Sequence, residues 1–176
     1  MIAAIGFALF AVPDIGGSYW TTFFPAVVVL GVGMAVSVAP LTTAVMNSVD
    51  VRHAGIASGI NNAASRTAGL LAVAVLGIVI LNSFNSSLDK SLDTIQMPAA
   101  IQQTLDEQRT KLAGMEVSVE IDEELHAVLK QAIANSFVDS FRLVMYIATA
   151  LALVSAFIGW LMIEGKVTIP NKSRNN

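Results

Sequence analysis

Hydrophobic and polar positions divide the chain into clear blocks. Residues 1–12 (MIAAIGFALFAV) are apolar and uncharged. Pro13, Gly16 and Gly17 break that run within residues 13–22. Residues 23–46 hold 24 positions without a charge, and 47–54 are polar. Residues 55–81 begin with small and polar side chains and end in LLAVAVLGIVIL. Residues 82–136 are strongly polar, 143–163 are 21 uncharged positions, and 164–176 form a polar tail.

A hydrocarbon core about 30 Å thick takes about 20 apolar residues in a helix. Segments 23–46 and 143–163 meet that length. Segment 55–81 is long enough but carries Arg66 near its start, so it spans only if that end faces protein or headgroups. Twelve residues rise about 18 Å as a helix, so 1–12 reads as a partial span. It lacks the leading Lys or Arg of a signal peptide. The expected fold is an all-α membrane protein with about three and a half transmembrane helices: a partial helix at 1–12, then 23–46, 55–81 and 137–163. A helical extracytoplasmic segment, 82–136, lies between the last two.

That outer segment has its own pattern. Pro98 could open a helix in its first turn. Ile101, Leu105 and Leu112 then share a face, Asp106 with Arg109 and Glu107 with Lys111 form supporting pairs, and Gly114 ends it. Leu125, Val128, Leu129, Ala132, Ile133 and Phe137 keep helical spacing in a second helix. Asp122, Glu123 and Glu124 favour its start, and it runs into the last membrane helix.

Composition agrees with lipid as the solvent. Hydrophobic residues make up 55%, charged residues 13%, against about a quarter charged in soluble domains. Mean hydropathy is +0.67. The net charge of -3 offers no basic excess for nucleic acid. The absence of cysteine excludes disulfides and thiol chemistry. Arg52 and Arg66 in or near loop 47–54, with Lys166, Lys172 and Arg174 in the tail, put both on the cytoplasmic side. The C-terminus is then cytoplasmic and 82–136 outside, with Tyr19 and Trp20 at the outer interface and Trp160 near the inner one.

Enzyme chemistry finds no residues. His53 and His126 fall on opposite sides of the membrane, and no metal-spaced cluster, phosphate loop or nucleophile elbow is present. No cofactor is expected. The third helix is more informative. Gly55 and Gly59 are four apart, Ala64, Ala68 and Ala72 make a second small stripe, and Ser65 with Gly69 a third. Helices in lipid associate through close backbone packing and interhelical hydrogen bonds, so this helix is expected among several neighbours. Asn61, Asn62 and Arg66 have two readings. The asparagines bond between helices while Arg66 snorkels to headgroups, or all three line the cytoplasmic end of a transport pathway. In the second helix, Gly31 and Ala35 form another small pair. Pro40 lacks an N–H and should kink the helix, leaving carbonyls for Thr42 or Thr43.

GVGMAVSVAPLTTAVMNSV followed by VRHAGIASGINNAASRTAGLLAVAVLG resembles the C-terminal part of the major facilitator superfamily, nearest to its fourteen-helix drug:proton antiporters of the multidrug efflux branch. Gly31, Gly33 and Pro40 match the Gly-x-Gly and later proline of the third-from-last helix. Arg52, Ala54 and Gly55 match the short cytoplasmic loop, Ala57 to Asn62 the Ala-Ser-Gly-x-Asn-Asn run, and Gly69, Ala74 and Gly77 the closing small-residue pattern. The resemblance covers 23–81 well and 137–163 loosely. Many members carry Arg at the position of Ser65, and Gly where Ala68 and Ala72 stand.

The resemblance implies a proton-coupled exporter of drugs or small molecules in a bacterial inner membrane, working by alternating access between two halves. This chain would be a fragment supplying part of the C-terminal wall. Its partners would be the bilayer, the preceding helices of the parent and, in the whole protein, substrate and protons. The coupling acids of the family lie mostly in the other half, and Asp139 and Glu164 flank the last helix at its interfaces. A rival from another class is a small accessory or structural membrane protein that displays 82–136 without transport of its own.

Overall fold

The computed structural model describes residues 1–47, 49–93, 95, 97–117 and 122–163. The tail 164–176, with Glu164, Lys166, Lys172 and Arg174, lies outside the described residues. The regular elements are α1 (Ile2–Phe10), α2 (Tyr19–Asn47), α3 (Ala54–Leu92), α4 (Ala99–Glu107) and α5 (Glu123–Ile163). Three of them, α2, α3 and α5, are long and apolar enough to cross a membrane. The protein is an all-α membrane protein.

Helix α1 packs antiparallel on α2 through two glycines. Gly6 lies against the Leu30 backbone and Gly33 against the backbone of Ala3. Gly16 takes φ 83° in the connecting turn, a conformation that suits glycine. Helices α3 and α5 pair antiparallel, with Ser87 Oγ donating to Asp139 Oδ2 at 3.4 Å. Ser136 and Ser140 are fully buried in α5. As a small-xxx-small pair they let a neighbouring backbone approach closely. Ser140 Oγ satisfies itself on the Ser136 carbonyl at 2.7 Å.

Arg142 of α5 ties the two pairs together. Its Nε donates to the Ala11 carbonyl and an Nη to the Pro13 carbonyl, both at 3.1 Å, and Asp14 lies 3.8 Å away. Ala11 is the C-cap of α1, whose last turn holds no basic residue of its own. A cation there bonds orphan carbonyls and faces the negative end of the helix dipole.

These contacts set a common membrane level. The uncharged run of α5 begins after Arg142, and Ala11 stands level with it. The Gly6–Leu30 contact carries that level to Pro25 on α2, and the Ser87–Asp139 contact carries it to Phe84 on α3. About 20 residues from that plane cross the hydrocarbon. They reach about residue 45 on α2 and 162 on α5, near the C-terminal ends of both helices. On α3 they reach about residue 64, so its first turns project past the far boundary by about 15 Å. At its other end α3 does not stop at Leu81 but continues to Leu92.

The described hydrophobic core sits where the polar segment 82–136 packs on the adjoining turns of α3 and α5. Phe84, Leu88 and Leu92 of α3, Leu105 of α4, Met115, and Leu129 and Ile133 of α5 form one buried cluster. Ile101, Leu112, Leu125 and Phe137 pack against it, while Val128 stays exposed. The helix expected from Pro98 to Gly114 is shorter. Pro98 is its N-cap and α4 ends at Glu107. The reason is side-chain competition with the helix. Gln108 accepts from the Glu116 N–H at 3.0 Å and donates to the Glu116 carbonyl at 3.1 Å. Arg109 turns toward Asp89 at 2.6 Å as well as Asp106 at 2.7 Å. Lys111 bonds Gln108 Oε1 at 3.1 Å, not Glu107. Residues Arg109–Gly114 become a 3₁₀ stretch in which Leu112 adopts φ 53°. A bulky residue there is strained, and its packing against the core holds it.

Candidate functional site

The N-terminal half of α3 carries the sequence-predicted residues, and the structure leaves them largely uncovered. Asp50 Oδ1 accepts the Arg52 N–H at 3.3 Å and opens a 3₁₀ turn, Val51–His53, that leads into the helix. Asn62 and Arg66 are exposed, one turn apart on a shared face, and Asn61 is half-buried on the adjoining one. None of the three forms a side-chain hydrogen bond or ion pair with a described residue. Arg66 lies 18 residues from the Phe84 level, about 27 Å. That is near the far edge of a hydrocarbon core about 30 Å thick, where a guanidinium can snorkel to headgroups. Asn61 and Asn62 fall just beyond that edge.

The glycines divide into two classes. A Cβ on Gly33 would collide with Ala3, whereas one on Gly31, Gly55, Gly59, Gly69 or Gly77 would meet nothing within 4 Å. Gly31 of the expected Gly31–Ala35 pair therefore meets none of the described residues, because α1 docks on the neighbouring face through Gly33. The close packing expected at Gly55, Gly59, Gly69 and Gly77 of α3 is likewise unmade among the described residues. Pro40 lies inside α2, which remains one helix through both Pro25 and Pro40. Thr42 and Thr43 bond the Val38 and Ala39 carbonyls at 3.0 Å, each four residues back. The carbonyl that Pro40 frees is that of Val36, and neither threonine bonds it.

Arg142 and Gly6 were not singled out from the sequence. The available signal for Arg142 was a lone cation next to a 21-residue uncharged run. Its target, a carbonyl 131 residues away in sequence, becomes visible only in the fold. His53 closes the turn before α3 and His126 lies in the first turn of α5, so the two belong to different elements. Among the described residues no group of three or more His, Cys, Asp or Glu could hold a metal ion. In the segment after α4 burial opposes the charge on Arg109. The hydrogen bonds and charges of Asp89 and Asp106 outweigh it and raise the pKa above its ordinary value.

The chain is 26% identical over 137 residues to Multidrug resistance protein Stp of Mycobacterium tuberculosis, in both strain CDC 1551 / Oshkosh and strain ATCC 25618 / H37Rv. The alignment takes in 74% of this chain and 25% of the relative. The chain thus spans about a quarter of the length of the curated relatives it matches. No family model and no solved structure matches it.

Proposed function

We propose that this chain is the C-terminal part of a proton-coupled exporter of drugs or other small molecules, of the fourteen-helix branch of the major facilitator superfamily. It would reside in a bacterial inner membrane with its C-terminus in the cytoplasm. In the whole protein two halves would rock about a central site, with α2, α3 and α5 as part of one wall. The observation that carries this reading is the inner half of α3. It presents Gly55, Gly59 and Gly69 to open space beside unpaired Asn62 and Arg66. A helix so built suits close neighbours that the described residues do not supply. The similarity to a longer multidrug resistance protein supports the same partner, the preceding helices of a parent.

Asn61, Asn62 and Arg66 would then line the cytoplasmic end of the path, where water tolerates them. Enzyme activity, a cofactor and nucleic acid have no part in this proposal. The outer core of α3, α4 and α5 is compatible with an accessory protein, but it gives no use for the bare glycines of α3.

The test is efflux of a cationic dye from cells carrying the full-length parent, with and without a protonophore. Export that collapses with the proton gradient supports the proposal. Absence of export removes it, and export indifferent to the gradient removes the coupling. Asn61→Ala with Asn62→Ala should slow export about fivefold, as expected for one net hydrogen bond of about 1 kcal/mol. Unchanged export at equal expression takes the pair out of the pathway.

A further inference from the structure

A cleft of about 680 Å³ lies between α3 and α5 where both cross the outer membrane level. Val79 and Leu143 line its membrane end, and Ser83, Ser86, Lys90 and Asp139 line the rest, with Asn82 and Ser87. From the Phe84 level, Val79 is about 7 Å toward the bilayer centre and Lys90 about 9 Å toward solvent. The cleft therefore straddles the boundary between acyl chains and headgroups, apolar below and polar above.

Its two charges are left for a ligand. Lys90 pairs with none of the described residues. Among the described residues Asp139 accepts only a long bond from Ser87, at 3.4 Å. The two share the cleft yet form no ion pair with each other. An ammonium is a point donor suited to phosphate, and a carboxylate suits a primary ammonium. Hydroxyl and amide donors between them suit the remaining phosphate oxygens.

We propose that this cleft binds the headgroup of a zwitterionic phospholipid bearing a primary amine. Lys90 and the serine hydroxyls hold the phosphate, Asp139 holds the ammonium, and an acyl chain lies along Val79 and Leu143. The inference rests on membrane residence alone and is independent of transport.

The test uses the full chain in mild detergent, titrated separately with phosphatidylethanolamine, phosphatidylcholine and phosphatidylglycerol, with bound lipid counted by native mass spectrometry. Phosphatidylethanolamine should bind about fivefold more tightly than the other two, the scale of one partly exposed charge pair. Lys90→Gln should weaken phosphatidylethanolamine and phosphatidylglycerol together. Asp139→Asn should weaken phosphatidylethanolamine alone and strengthen phosphatidylglycerol by removing repulsion. Both side chains are at the surface, and helical circular dichroism checks that the variants fold. A preference for phosphatidylglycerol would overturn the zwitterionic assignment. Equal retention of all three lipids would overturn the site and point to a protein surface as its cover. Wild-type preferences that persist in both variants would overturn the assigned residues.

Discussion

Replacing Gly33 by alanine probes the α1–α2 seam, because the structure separates this glycine from Gly31 two positions away. A Cβ at Gly33 would stand 2.7 Å from Ala3 Cα and 3.0 Å from the Ile2 carbonyl carbon. Both are backbone atoms, so no rotamer change can relieve the contact. Helix α1 must move out by about 1 Å, and such overpacking costs about 1–3 kcal/mol. Alanine returns up to about 1 kcal/mol of helix propensity. The net expectation for Gly33→Ala is a loss of about 1–2 kcal/mol. Gly31→Ala keeps the propensity gain and meets nothing, so it should be neutral or slightly stabilising. Gly6→Ala should resemble Gly33→Ala, since its Cβ would meet Leu30 Cα at 2.7 Å. The double variant should fall short of the sum, because one displacement of α1 relieves both contacts. The assay is reversible unfolding in mixed detergent micelles, followed by tryptophan fluorescence. Equal stability for Gly31→Ala and Gly33→Ala would refute the assigned face.

Arg142→Ala should destabilise the chain by about 2 kcal/mol, the range for hydrogen bonds from a charged donor to carbonyls at a helix end. Arg142→Lys should recover part of that, and Asp14→Asn should change little, since Asp14 is well exposed; the same unfolding assay ranks the three. Leu129→Ala removes a fully buried side chain from the outer core and should cost about 2–5 kcal/mol there. Hydrogen exchange should quicken in α4 and leave the interior of α2 unchanged. Arg109→Gln should cost about 1 kcal/mol or less, because the partners Asp89 and Asp106 are half-exposed. The raised pKa of Arg109 means its contribution is complete below the unfolded value and is lost only as pH climbs through the folded one. Both lie at extreme alkalinity, so hydrogen-exchange protection of α4 should not fall on mild alkalinisation through Arg109.

The sequence by itself determined which segments are helical and apolar enough for lipid. The uncharged runs at 23–46 and 143–163 state a solvent preference that no partner is needed to read, because each helix satisfies its own backbone bonds. The spacing of Leu125, Leu129 and Ile133 likewise announced the buried face of α5, since helical periodicity is local. What the tertiary structure decided depends on pairings far apart along the chain. Only the docking of α1 tells Gly33 from Gly31, for both are glycines in the same apolar run. Arg142 reads as a boundary charge until the end of α1 arrives beneath it. Helix α4 is shorter than its pattern predicts because Gln108 and Arg109 find partners at Glu116 and Asp89, and a helical pattern carries no record of such competitors. The level of Arg66 followed from Ser87 meeting Asp139, a register between two helices that neither sequence encodes alone.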